Sequence, residues 1–345
     1  MKASLPILNP LTAPGWDGIL STNERASFFH SAPWARVLAD AYRFIPFYFT
    51  DCANDRLETL IPIMETPTIA GGRKGVSLPF TDCCAPIAPR GEAWRDIVEQ
   101  VLDFGFSRGW RSWSLSGDDH FPDDVPVVRY FDHSIELCRD AQTVYHAFSK
   151  GTKSSIHKAT KEGVVSSVST TSQSITEFYR LHTLTRRRHG LPPPPFSFFS
   201  LIFRYVIASG QGFVALAALH DRPVAAAVFF LFGRKALYKF AASDPRYRHS
   251  CAGDLVMWEA IQWLCRNSFT ELSLGKTEIA NHGLRGFKAG WGAREGTMNY
   301  YTYNFARRSF VASERSTRVP FATLLKIMPL PLLHIAGKVL YRYNS

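Results

Sequence analysis

Asp254 to Gly275 reads DLVMWEAIQWLCRNSFTELSLG, and Asp96 to Ser116 reads DIVEQVLDFGFSRGWRSWSLS. Both are an amphipathic helix pattern followed by a short strand ending in Ser-Leu. Both open Asp-(Ile/Leu)-Val, and their lengths differ by one residue. A three-to-four-residue apolar period that gives way to a two-residue period within one stretch is a mixed α/β signature. Its occurrence twice marks a chain built from two copies of one α/β unit, since two copies are too few for a solenoid.

The flanking segments extend the parallel. In the first half, "PFYFTDCANDRLETLIPIMETP" reads as strand, Asn-Asp turn, strand. In the second, "GFVALAALHDRPVAAAVFFLFGRKALYKFAAS" reads as three strands joined by a His-Asp-Arg-Pro turn and a Gly-Arg turn. A helical stretch precedes each, "SAPWARVLADAYR" and "SITEFYRLHTLTRRRHG". Between the copies, Val144 to Glu162 predicts one helix stopped by Gly163. The resulting division is 1–143, an interdomain basic helix at 144–164, 165–310, and an apolar tail at 311–345.

At 345 residues the chain fits two domains. Hydrophobic residues at 46% and aromatics at 14% exclude wholesale disorder. The net charge of +11 favours an anionic partner: RNA, a nucleotide-linked substrate or an anionic membrane surface. Six cysteines without a CxxC spacing give no zinc cluster and fit a reduced, cytoplasmic setting. The N-terminus lacks the apolar run of a signal peptide, and no stretch is long and apolar enough to span a bilayer. The tail "PFATLLKIMPLPLLHIAGKVLYRY", broken by Pro329 and Pro331, reads as docked on the chain's own core or lying on a membrane surface.

Several segments carry chemistry. Lys150, Lys153 and Lys161 fall along one side of the interdomain helix, as a solvated face or an anion-binding stripe. Arg186-Arg187-Arg188-His189 precedes "GLPPPP" and reads as a basic lip on a cleft. Arg246 and Arg248, then Ser250-Cys251-Ala252-Gly253, lead into the helix starting near Asp254. Small residues at a helix N-terminus expose backbone N–H groups to a phosphate, although Asp254 would also serve as a simple cap. After the second-copy strand comes a glycine-studded loop with Lys276, Glu278 and Asn281, ending "GFKAGWG" at Gly286 to Gly292. Its closely spaced glycines permit tight backbone approach.

Strand, strand, Arg248-x-x-Cys251-x-Gly253, helix, strand resembles the acyl-CoA-binding core of GNAT-type N-acyltransferases, whose loop runs Arg/Gln-x-x-Gly-x-Gly/Ala. The chain departs from that pattern at Cys251. The duplication and the closing Phe287-Lys288-x-x-Trp291-Gly292 resemble the FemAB branch of that superfamily, the cytoplasmic aminoacyltransferases of peptidoglycan cross-bridges. "LPFTDCCAP", Leu78 to Pro86, resembles that branch's first-domain loop. The resemblance covers about residues 25 to 305. It implies an α/β fold of two tandem GNAT-like domains and an N-acyltransferase without a tightly bound cofactor or metal. The donor it implies is acyl-CoA or aminoacyl-tRNA, and the acceptor an amine of a cell-envelope precursor or metabolite.

On that basis Lys288 is expected at the acyl-transfer centre, where it would stabilise the developing oxyanion. Glu278 and Asp244 are candidates for the base, and Tyr238 is a pocket phenol. Arg246, Arg248, Ser250, Cys251, Ala252, Gly253 and Asp254 are expected to hold the donor. Asp82, Lys150, Lys153, Lys161, Arg187, Asn281, Phe287 and Trp291 are expected to contact substrate. No Gly-x-Ser-x-Gly elbow or convincing Cys–His pair supports a covalent enzyme intermediate. The rival readings are a non-catalytic RNA-binding protein using the lysine face and a membrane-peripheral scaffold using the tail.

Overall fold

The computed structural model describes residues 4–117, 121, 125–312 and 322–343. The chain gathers into two compact units. The first comprises Met1–Tyr130, Thr297–Arg315 and Leu340–Ser345, and the second Phe131–Gly296 and Ser316–Val339. The segments of each unit are not consecutive in the chain.

In chain order the first unit holds β1 (Ile7–Leu8), α1 (Trp16–Leu20), α2 (Ala32–Tyr42), β2 (Ile45–Ala53), β3 (Arg56–Pro67), β4 (Arg73–Val76), α3 (Glu92–Ser107) and β5 (Trp110–Gly117). β6 (Val128–Glu136) passes into the second unit. There follow α4 (Ala141–His146), α5 (Lys150–Lys161), β7 (Val165–Ser169), α6 (Ser172–Arg188), α7 (Phe196–Ile202), β8 (Gly212–Leu219) and β9 (Arg222–Phe232). β10 (Lys235–Ser243), α8 (Ala252–Arg266), β11 (Glu271–Glu278) and α9 (His282–Gly290) complete that stretch. β12 (Arg294–Asn304) carries the chain back to the first unit, with β13 (Ser309–Phe310) after it. α10 (Ala322–Ile327) and nearly all of α11 (Leu330–Leu340) belong to the second.

The two units share one strand order. β2 pairs antiparallel with β3, β3 antiparallel with β4, and β4 parallel with β5, with α3 as the crossover. The second unit repeats this with β8, β9, β10 and β11, and α8 as the crossover. A short strand leads each sheet, β1 on β2 and β7 on β8. Each is completed from a distant part of the chain, by β12 beside β5 and by β6 beside β11. This is the duplicated α/β fold that the paired helix–strand stretches imply.

The hairpin turns fall where the sequence signals them, except that Arg222 and Pro223 of the expected His-Asp-Arg-Pro turn belong to β9. Asn54-Asp55 and His220-Asp221 have positive φ at both positions, 51° and 59°, then 48° and 60°. Both-positive central residues match the twist of an antiparallel hairpin. In the first unit, Trp94, Ile97, Val98 and Val101 of α3 pack on Phe49, Ile61, Ile63, Trp113 and Leu115. In the second, α8 buries nine residues against β8, β9, β10 and α5. The expected single helix of 144–162 is broken into α4 and α5. Phe148 at the break turns inward to meet Trp258 at 5.6 Å and Trp291 at 4.9 Å, and the Ser149 hydroxyl caps α5 through the Thr152 N–H. A buried aromatic plus an N-cap outweighs continuous helical propensity.

The apolar tail forms two short helices. Leu325 and Leu333 are buried, and the Gly337 Cα sits so close to the Pro193 carbonyl that a Cβ would lie 2.0 Å from it. The His334 ring meets Thr183 Oγ1 at 3.5 Å on α6. One side of the tail is therefore docked on the second unit. Among the described residues no helix is long and apolar enough to cross a membrane.

Candidate active site

A cavity of about 940 Å³ opens in the second unit, where β10 and β11 part company. Their parallel register runs from Lys235↔Glu271 to Leu237↔Ser273, and β10 shifts register against β9 between Tyr238 and Phe240. Beyond that point, Tyr238, Ala241 and Ala242 of β10 form part of the wall. α8 contributes its first turn, Ala252, Gly253 and Asp254, preceded by Arg248 and Cys251. Leu284 and Phe287 of α9 line the cavity as well, and the C-terminal end of α6 adds Thr185, Arg188 and His189.

The first turn of α8 is suited to an anion. Its leading N–H groups lack intrahelical acceptors, and a helix of 15 residues places the positive dipole end there. Nothing lies within 4 Å of where a Gly253 Cβ would be, so the space over that backbone is open. Cys251, in the position where the GNAT loop carries glycine, is held at φ 53°. A left-handed conformation costs a non-glycine residue roughly 1–2 kcal/mol. The backbone there is of the kind glycine adopts freely, though the side chain is not glycine.

The charges around the cavity are uneven. Asp254 is its lone carboxylate among the lining residues, and burial raises its pKa above the ordinary aspartate range. Burial, and then the Asp254 charge, push the Tyr238 phenol up, so it remains protonated in neutral solution. His189 is pulled down, first by burial and then by Arg188, Arg186, Lys326 and Arg248 around it. A neutral imidazole therefore sits in a ring of permanent cations.

Gly286 to Gly290 of the "GFKAGWG" stretch close a helix, where the glycines announce a loop. Asn281 accepts the Leu284 N–H on Oδ1 at 3.1 Å and caps α9. Phe287 faces the cavity while Lys288, 4% exposed, points to the other side. The Lys288 ammonium donates to the Gly275 carbonyl at 2.6 Å and the Lys276 carbonyl at 3.1 Å, tying α9 to the end of β11. Gly290 accepts from Ser149 N–H and Thr152 Oγ1, both at 2.9 Å, and a Cβ there would lie 2.9 Å from that hydroxyl. The glycine serves helix contact. On the same side, Arg285 grips Glu295 at 2.9 and 3.0 Å, and Glu295 meets His133 Nε2 at 3.1 Å. Burial and then Lys288 lower the His133 pKa.

The cavity brings together Tyr238, Arg248, Cys251, Ala252, Gly253, Asp254, Asn281 and Phe287 from the residues anticipated in the sequence. The others lie elsewhere. Arg246 is bound bidentately by buried Asp244 at 3.0 and 2.6 Å, which also holds the Asp244 carboxyl below its ordinary range and makes it a poor base. Ser250 is buried and donates to the Tyr247 carbonyl at 2.7 Å. Glu278 is exposed at the last position of β11, and Lys288 and Trp291 are buried outside the lining. Lys150 and Lys161 are exposed on α5, Lys153 donates to the His146 carbonyl at 3.0 Å, and Arg187 donates to the Lys326 carbonyl at 3.1 Å. Asp82 is in the first unit, where its carbonyl accepts the Tyr300 hydroxyl. Arg188 and His189 were marked in the sequence only as part of a basic lip. Thr185 carries no signal beyond helical spacing, and Leu284 lies in the stretch that reads as a loop.

This arrangement defines the class. Residues 146–295 match the family model described as an acetyltransferase (GNAT) domain. With the strand order repeated in the first unit, the chain has a tandem GNAT fold. Among solved structures it is similar to FemX, with a TM-score of 0.65 and 11% identity over 82% of this chain and 94% of that one. A conserved protein of unknown function from Bacteroides thetaiotaomicron VPI-5482 aligns at TM-score 0.57 and 10% identity, over 86% of this chain and 98% of that one. A tandem GNAT protein from the clavulanic acid biosynthesis pathway aligns at 0.50 and 13% identity, over 87% and 97%. No curated protein matches the sequence.

Proposed function

We propose that the second unit transfers an acyl group from a phosphate-bearing thioester, of which acyl-CoA is the type, to an amine. The observation that carries this is the cavity spanning from the first turn of α8 to the parting of β10 and β11. Arg248 and the α8 N–H groups take a phosphate at one end, and the small wall residues Ala241 and Ala242 leave room for the thioester arm. The free amine attacks the carbonyl carbon, the C–N bond forms, and the C–S bond breaks with the electron pair leaving on sulfur. The ammonium proton passes to a base and the thiolate takes up a proton. We assign the base to Asp254, the carboxylate in the lining, whose affinity for a proton burial raises above that of an ordinary aspartate. Tyr238, protonated throughout, serves as a hydrogen-bond donor within the cavity. Lys288 is a positioning residue, since its ammonium holds the helix that carries Leu284 and Phe287.

The acceptor is assigned to an amine of a cell-envelope precursor or small metabolite in the cytoplasm, a reading supported by the resemblance to the FemAB branch. A second reading, aminoacyl-tRNA as donor, is favoured by one observation: the exposed lysines of α5 on a chain of net charge +11. Thermal-shift measurement on the full chain separates them. Acetyl-CoA or a longer acyl-CoA at 100 times its Kd should stabilise by about 2.7 kcal/mol. Arg248→Ala should abolish that shift while leaving the ligand-free melting point within about 1 °C, as expected of an exposed side chain. Stabilisation by charged tRNA alone would transfer the donor assignment to the second reading. An acyl-CoA shift indifferent to Arg248→Ala would remove this cavity from the donor.

A further inference from the structure

We propose that the outer face of α10 and α11 is a docking surface for an anionic lipid bilayer. The inner side of these helices is committed to the second unit through Leu325, Leu333, His334 and Gly337. The outer side is not. Ile327 is 72% exposed, Leu332 54%, Ile335 61% and Val339 57%. Leu332, Ile335 and Val339 follow one another at helical spacing, so they form a single apolar stripe on α11, with Ile327 at the end of α10.

The charges beside the stripe choose the occupant. Lys326 and Lys338 are exposed, and from Ala322 to Leu340 the two helices and their connection hold no Asp or Glu. An isologous pairing of two copies through this face would set lysines against lysines with no carboxylate to answer them. An anionic headgroup layer answers both features, taking the apolar stripe into its acyl boundary and the ammonium groups at the phosphate level. The two short helices are far from long enough to insert across the membrane, so the contact is interfacial. The stripe also has a defined neighbour. Arg187, next in the chain to the cavity-lining Arg188 and His189, donates to the Lys326 carbonyl, and Lys326 acts electrostatically on His189. Docking would therefore bring the basic end of the cavity close to the headgroups.

The test is co-sedimentation of the full chain with vesicles of phosphatidylcholine containing about 30% phosphatidylglycerol, against vesicles of phosphatidylcholine alone. The expected result is binding to the anionic vesicles, weakened by added salt. Leu332→Ser/Ile335→Ser/Val339→Ser and, separately, Lys326→Glu/Lys338→Glu should each reduce it by more than about tenfold. All five side chains are exposed, so both variants should keep the parent melting point, which is measured alongside. Binding that is equal on both vesicle types, or unmoved by the triple variant, overturns the proposal. So does a concentration-dependent dimer in light scattering that the triple variant dissolves, which would give the face to a second copy. None of these readouts uses turnover, so the result stands apart from the acyl-transfer assignment.

Discussion

Lys288→Met keeps the length of the side chain and removes the ammonium. Two charge-assisted hydrogen bonds are lost, to the Gly275 and Lys276 carbonyls. Bonds to a charged group are worth about 1.5–3 kcal/mol each, but the cost of burying the ammonium also disappears. A net loss of about 3 kcal/mol follows, with the Gly275 carbonyl left inside a buried strand end. For a unit of this size each kcal/mol lowers the melting point by about 2–4 °C, so the variant should melt about 6–12 °C lower. The assay is calorimetry alongside steady-state acyl transfer at a temperature where both proteins are folded. If Lys288 acts by holding α9, the loss of kcat/KM should be modest there and accompanied by a higher donor KM, because Leu284 and Phe287 shift with the helix. A melting point within about 1 °C of the parent, together with a fall of about 10²- to 10³-fold in kcat, would refute this reasoning. That pattern is the mark of a group on the reacting atoms.

Acid should weaken both units through buried histidines. Burial lowers His182 to about 3 and His30 to about 4, so each is neutral in the fold and takes up a proton on unfolding below its ordinary pKa of 6.5. Their stabilisation is complete above that value and is lost as pH falls from it toward the folded pKa, about 2 kcal/mol each by pH 5. Denaturation followed between pH 7.5 and 5 should show the loss, and His182→Phe should flatten the part due to the second unit; an unchanged slope would count against it. Cys251→Gly should be neutral or stabilising by up to about 1 kcal/mol, since relief of the left-handed strain is partly offset by a freer unfolded chain. It should also tighten acyl-CoA binding by opening the backbone in the cavity, and weaker binding in calorimetry would show that the thiol itself contacts the donor.

Local patterns disclosed what is locally determined. The hairpins at Asn54-Asp55 and His220-Asp221 follow from residues that tolerate positive φ, and the twin helix–strand stretches announced the duplication. Of the stretch from Arg248 to Gly253, Arg248, Cys251, Ala252 and Gly253 line the cavity, while Ser250 is buried behind them. α9 was not legible: Gly283, Gly286 and Gly290 lower helix propensity, and only the Asn281 cap, the buried ammonium and the packing on α5 outweigh it. Lys288 looked catalytic from its neighbours. Which side of α9 it occupies depends on carbonyls in another element, which no spacing reveals. The completion of each sheet by β12 and β6 is likewise a matter of long-range pairing.

The two copies share their strand order, so the difference between them must lie in the connections between strands. In the first unit, the chain between β4 and α3 closes onto its own sheet. Ile87 exchanges both backbone hydrogen bonds with Leu60, at 2.6 and 2.9 Å. His30 Nε2 holds the Ala85 carbonyl at 2.9 Å, and Arg25 reaches the carbonyls of Pro86 and Ala88 at 3.0 and 3.2 Å. Because Ser27 N–H donates to His30 Nδ1, the proton lies on Nε2 and is donated to Ala85, so the neutral ring enforced by burial is the form this clasp requires. Gly117 leaves just enough room for Pro86, since a Cβ there would lie 2.8 Å from its ring. In the second unit the equivalent connection, Pro245–Ser250, coils into a 3-10 turn, and the first turn of α8 stays open to the cavity. One topology thus gives a clasped connection in one copy and an anion-ready helix end in the other. The acyl transfer proposed above uses the second copy for this reason.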